Sequence, residues 1–354
     1  MTVKGSLTLS KGNIDIDNGL TLTAAGSALT MASGTAFTTP STGWLKLDAI
    51  VPPLTFTASG SVTLVNVEIA DTVVLAGSFT SMTITGIFYH TGGDLNFADR
   101  DLIIQGTYTR TAGTYSATTG YLRIQGASFD KGDNHSHFTI PNLSIESDGS
   151  FAATGSDTVI VLSNFDLNSV NPSDVFTHTV SGSPTLAVAS GANVNYYKGN
   201  LDVPPIYLGT IVLNLVGAGG IDVPNNVWPL APSTLVTTLN VDASGTYGLG
   251  SGTHVVNSQL DLTAGGLNIG SGRALSLADN LSIKVVAGTL TTSFPGAVNY
   301  GSGISVSYEI NTTGAGAYST AAELPPSVSS LTFARTGNIA NGEVVVKSPV
   351  LVNG

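Results

Sequence analysis

Leu102-Ile-Ile-Gln-Gly106 returns twenty residues later as Leu122-Arg-Ile-Gln-Gly126. Each copy places apolar side chains at its first and third positions and stops on a glycine, the pattern of a short half-buried strand that ends in a turn. Twenty residues is about one coil of a β-helix, in which a few short strands joined by turns stack on the next coil in parallel at about 4.8 Å. A longer pattern, Leu-x-[Ile/Val/Phe]-x-x-x-Gly, starts at Leu54, Leu143, Leu239 and Leu331 and closes on Gly60, Gly149, Gly245 and Gly337, at intervals of 89, 96 and 92 residues. A proline precedes each copy (Pro53, Pro141, Pro232, Pro326), so a turn, a strand and a turn recur in the same order. Four or five coils fit into each long interval.

These two periods predict an all-β fold: an elongated β-solenoid or β-helix with parallel strands stacked coil on coil. We expect a single continuous solenoid over 1–354 with about four imperfect repeats, 1–94, 95–190, 191–285 and 286–354. The stretch 170–230, with Tyr196-Tyr197-Lys198 and the Pro204-Pro205 pair, departs from the pattern and is expected to be irregular. No stretch of helical period runs for ten residues without glycine, proline or β-branched residues.

A further internal match supports duplication. Val256, Leu260, Leu262, Gly265, Leu267, Ile269 and Gly272 repeat Val3, Leu7, Leu9, Gly12, Ile14, Ile16 and Gly19 position for position, with a weaker copy at Val161, Phe165 and Leu167. The alternation turns every second apolar residue inward and leaves glycine at corners that need positive φ. The expected inward set includes Leu143, Ile145, Leu239, Val241, Leu331 and Phe333.

Composition narrows the classes of function. Only 10% of residues are charged, against about 25% in ordinary soluble domains, so serine, threonine, asparagine and glycine carry the solvation. A net charge of −11 with only 12 basic residues argues against nucleic acid, which needs clustered Lys and Arg, and against an anionic membrane surface. No run of 18 apolar residues is present to span a bilayer, so membrane insertion is not expected. The 354 residues contain no cysteine, which excludes disulfides and thiolate chemistry without fixing a compartment. The N-terminus enters alternating strand directly, with no signal peptide visible. The Thr/Ser/Gly/Asn surface points to an extracellular or cell-surface setting.

Several strings carry a resemblance: Val-Asn-Gly, Gly-x-Leu-x-Leu-x-x-Gly-x-Ile-x-Ile, Leu324 to Phe333, and Thr111 to Gly120. The chain resembles the β-strand repeats of large haemagglutinin-type, adhesin-like β-helical bacterial surface proteins, over 1–30, 95–170 and 235–354. The resemblance implies a β-helical fold and a bacterial surface location more than any activity.

Candidate chemistry is sparse. Asp94, Asp99, Arg100 and Asp101 form the densest charged knot and read as a solvated corner rather than the acid-lined groove of a polysaccharide-cleaving β-helix. In the loop Asp130 to His137, His135 and His137 point the same way on an extended segment, and with Asp133 they are weak candidates for a divalent metal site. Trp44, Trp228, Tyr196 and Tyr197 are candidates for stacking on sugars, although aromatics in such folds more often pack in the core. Thr21/Thr23, Thr55/Thr57 and Thr83/Thr85 do not recur once per coil, so no ice-binding threonine lattice is expected. No nucleophile elbow, P-loop or dinucleotide fingerprint occurs. The chain is expected to be no enzyme and to need no cofactor.

The two ends share a phase: Val352-Asn353-Gly354 matches Val3-Lys4-Gly5. An open solenoid end exposes strand edges that need a cap or a partner. Met1, Val3, Leu7, Leu9, Val350, Val352 and Gly354 are therefore the expected interface. Partners are copies of the chain end to end, or the rest of a longer parent chain, with glycans or a cell surface beyond. The leading reading is a structural subunit that assembles head to tail into a fibre or surface layer. The alternatives are a stalk segment of a large adhesin and a phage tailspike-like or polysaccharide-degrading β-helix.

Overall fold

The computed structural model describes residues 1–354 except 39–41, 61, 127, 131–137, 147–149, 152–157, 178, 181–182, 185, 229–234, 294, 311–316, 336–342, 347 and 354. The described residues form β-strands and turns with no helix, and the strands stack in parallel as a β-solenoid. None of the described segments is a helix long and apolar enough to cross a membrane. The chain divides into two compact units, Met1–Val170 with Asp174–Val188, and Asn171–Ser173 with Ala189–Gly354.

In the middle of the first unit, from Trp44 to Ile124, each coil contributes strands to the same three sheets. One coil runs through Val67–Ile69, Val73–Gly77 and Ser81–Ile84 before the next begins at Ile87–His90. The first sheet orders Thr2–Val3, Thr21–Ala24, Trp44–Leu47, Val67–Ile69, Ile87–His90, Thr107–Arg110, Ser128–Asp130 and Ser150–Phe151. The second holds six strands from Leu7–Leu9 to Thr114–Ala117. In the third, Leu102 lies opposite Leu122, Leu122 opposite Leu143, and Leu143 opposite Phe165, all fully buried. The expected coil step of about twenty residues is thus the register of the sheet. Each inward leucine sealed this way contributes about 1.5–3 kcal/mol.

The second unit carries the same device with longer coils. Leu213, Leu239, Leu260, Ile283, Val306 and Leu331 form one row, each in register with the next. Beside it run Leu215, Val241, Leu262, Val285, Tyr308 and Phe333. The interval from Leu239 to Leu331 is therefore four coils. Leu54 is different: it pairs with Val73 in the six-stranded sheet, whereas Leu143 lies in the third sheet. Those two copies of the long motif thus sit on different faces of the coil, because a strand followed by a glycine turn ends every face.

Leu143, Ile145, Leu239 and Val241 are fully buried as expected. Leu331 and Phe333 are not: Phe333 is 50% exposed, because among the described residues its strand is the last of the ladder and pairs on one side only.

Glycine serves two purposes. Gly12, Gly19, Gly265 and Gly272 hold φ between +67° and +75°, as the duplicated string requires. Gly106 and Gly126 are there for close approach: a Cβ on Gly106 would lie 1.8 Å from the Gly86 carbonyl oxygen, and one on Gly126 would lie 1.9 Å from that of Gln105. Polar side chains also pair from coil to coil. The Asn240 amide donates to Asn214 Oδ1 at 2.6 Å, and that of Asn214 to Asn195 Oδ1 at 2.7 Å. Such ladders satisfy polar groups that a coil turn brings against its neighbour.

Candidate functional site

The first strands of the first unit pair on one side only. Thr2–Val3 and Leu7–Leu9 are the outermost strands of their sheets, with Val3 opposite Ala24 and Leu7 opposite Leu29. Met1 is 84% exposed, Val3 and Leu7 are partly exposed, and Leu9 is already buried. One level in, Leu29 is fully sealed. The inward row is therefore formed but uncovered at its rim.

The last strands of the second unit repeat the situation. Phe333 lies flat on Tyr308, with ring centroids 5.4 Å apart and planes within 15°, and Tyr308 is fully buried. Leu351–Val352 pairs with Ser327–Val328, leaving Leu351 and Val352 exposed and Val350 partly so. Beside them Tyr300, Leu324, Pro326, Pro349 and Val350 line a pocket of about 330 Å³. Of the expected interface residues, Met1, Val3, Leu7, Val350 and Val352 retain exposure and Leu9 does not, while Gly354 lies outside the described residues.

The charged knot does not converge. Asp94 belongs to the six-stranded sheet, where it accepts hydrogen bonds from Thr114 Oγ1 at 2.9 Å and Ser116 Oγ at 2.6 Å. Asp101 belongs to the third sheet and takes part in a ladder up the coils: Arg123 bridges it to Glu146, whose carboxylate also accepts from Gln125 and Ser144. Those donors hold the Glu146 carboxyl below its usual range against the opposing effect of burial. Arg100 pairs with Asp99 at 2.7 Å and lies over the Phe79 ring. Each acid is engaged by its own neighbours. The candidate metal residues Asp133, His135 and His137 lie outside the described residues.

Among the aromatic candidates, Trp228 and Tyr196 are buried, each 1% exposed, which removes them as stacking platforms. Trp44 is partly exposed on the outer face of its sheet and stacks on Tyr89.

The buried ionisable groups His90, His254 and Glu323 escape the composition-level reading. His90 is fully buried beside Tyr115, with ring centroids 4.9 Å apart, and burial followed by the charge of Arg110 lowers its pKa to about 4. The backbone at Gly92 and Gly93 offsets this in part, but neither ring nitrogen has a hydrogen bond of good geometry. His254, packed on Trp228 at 4.8 Å, is lowered to about 4 by burial and then by Arg273. The Glu323 carboxylate accepts from Ala321 N at 2.8 Å and from the Tyr308 hydroxyl at 3.3 Å. Alternation marks both histidines: each lies two residues from an inward Phe88 or Val256, hence on the same side.

Comparison of the chain with protein-family models, with curated proteins and with solved structures finds no match.

Proposed function

We propose that this chain is a structural, non-catalytic β-solenoid subunit of an extracellular or cell-surface bacterial assembly, adding to copies of itself head to tail in a fibre or surface layer. The observation that carries this reading is the contrast between sealed and unsealed core rows: Leu29 and Tyr308 are fully buried, while in the adjoining end coils Leu7 is partly exposed and Phe333 exposed. An open parallel edge with an apolar rim is completed by another coil in the same register. The first and last strands carry different residues, so such a contact is heterologous, the kind that builds a filament when its rotation does not close. No nucleic acid, inserted membrane or cofactor enters this reading.

The same open edges favour a second reading, a stalk segment of a large adhesin in which the rest of a longer chain supplies the adjoining coils. The polysaccharide-degrading alternative has less support, because Asp94 and Asp101 are engaged on different sheets.

Sedimentation velocity and negative-stain electron microscopy over a wide concentration range test the assembly. Filaments growing with concentration are expected, whereas monomers at every concentration would sink the fibre reading and leave the stalk. Incubation with acidic and neutral polysaccharides should release no new reducing ends; turnover lost on Asp94→Asn or Asp101→Asn would overturn the non-catalytic assignment.

A further inference from the structure

The outer face of the eight-stranded sheet carries an arrangement set apart from the end strands. Leu45, Leu47, Val67, Ile69 and Phe88 face inward and are at most 2% exposed, so the residues between them face out. Lys46, Glu68 and Tyr89 form one outward row on successive strands. Trp44, two residues before Lys46, shares that face. The intervening Asn66 is turned into the corner, where its amide donates to the Gly43 carbonyl and its Oδ1 accepts from Ile87 N, both at 2.9 Å. Trp44 leans across the ground this leaves and stacks on Tyr89, with centroids 4.9 Å apart and planes within 21°. The pair remains partly exposed.

Beside the rings one ammonium is held between two carboxylates. Lys46 Nζ lies 3.3 Å from Asp48 and 3.1 Å from Glu68, and Glu68 also accepts from the Thr91 hydroxyl at 3.1 Å. An anionic ligand meets two carboxylates against one ammonium, and a cationic one has to displace Lys46 from the carboxylates it already bridges. A neutral ligand with an apolar face and a rim of hydroxyls meets neither penalty: its C–H face covers the rings, while the flanking carboxylates and ammonium accept and donate hydrogen bonds.

We infer that the Trp44–Tyr89 face is a binding surface for neutral polysaccharide, with the aromatic pair as the platform and Lys46, Asp48 and Glu68 as the hydroxyl-reading rim. The surface lies on the side of the sheet, so it does not depend on end-to-end assembly. A flat, partly wet face of this kind suits a long polymer held by repeated weak contacts.

The test titrates the full chain with neutral hexasaccharides of glucose, mannose and N-acetylglucosamine, with a hexuronate and with phosphatidylcholine vesicles, read by tryptophan emission and calorimetry. Trp44 is one of only two tryptophans and the other is buried, so emission reports the site. Saturable binding of at least one neutral probe is expected, weakened about tenfold by Trp44→Ala or Tyr89→Ala, the loss of one aromatic contact. Trp44→Phe keeps a ring and retains most of the affinity, which separates loss of the platform from loss of the fold. Absence of saturable neutral-sugar binding, binding that both alanine variants leave unchanged, or binding only to the hexuronate or the vesicles overturns the proposal.

Discussion

Phe333 covers Tyr308 with one face of its ring and presents the other to solvent. In every earlier coil of that row the equivalent side chain has a neighbour above and below. Phe333→Asp should therefore leave the unit folded and abolish concentration-dependent assembly, as should Leu7→Asp at the other end. Sedimentation and thermal melting of the two variants check both halves of this expectation; filaments formed by both would remove these faces from the interface.

Within the stack the same kind of change acts on stability. Leu260 is fully buried between Leu239 and Ile283, so Leu260→Ala should cost about 2–5 kcal/mol by leaving a cavity. Ile145→Asp should cost several kcal/mol or prevent folding, because it buries an unpaired charge. Denaturant titration followed by circular dichroism measures both.

The two kinds of glycine should respond differently to alanine. Gly12→Ala meets open space and only a left-handed backbone, a penalty of about 1–2 kcal/mol. Gly106→Ala must push its Cβ against the Gly86 carbonyl, which no rotamer relieves, so its loss in midpoint should be the larger. Equal losses would mean that the coil corner yields.

Acid should weaken the first unit through His90. Its folded pKa of about 4 lies below the ordinary 6.5, so the neutral form belongs to the fold and the unfolded chain takes up the proton first. The stabilisation is complete above about pH 6.5 and is lost as pH falls toward 4, at about 1.4 kcal/mol per unit for one such group. His90→Leu should flatten this part of the stability profile, measured as urea midpoint against pH; an unchanged slope would place the titration elsewhere.

Arg123 stands between two carboxylates, Asp101 and Glu146. Arg123→Ala leaves two acids facing across adjoining coils, and the loss should be on the order of 1 kcal/mol and shrink with added salt. A loss that salt does not alter would instead point to the packing of the guanidinium over the Tyr121 ring.

The strings Leu102 to Gly106 and Leu122 to Gly126 were sufficient to read the parallel solenoid. Alternation sets which side chains face inward, and a constant step brings equivalent strands into register; both are local properties written along the chain. The inward positions of Leu143, Ile145, Leu239 and Val241 follow from that alone. Which residues are left at an edge does not follow, since Leu331 and Phe333 have the same pattern as buried leucines and differ only in that no described strand pairs on their outer side. Nor does sequence tell that Leu54 belongs to another sheet than Leu143, because every face ends in a similar glycine turn. The dispersal of Asp94 and Asp101 onto different sheets and the stacking of Trp44 on Tyr89 depend on pairing between residues about 20 to 45 apart. Only the closed coil brings such residues together, because the strand register decides which side chain stands beside which.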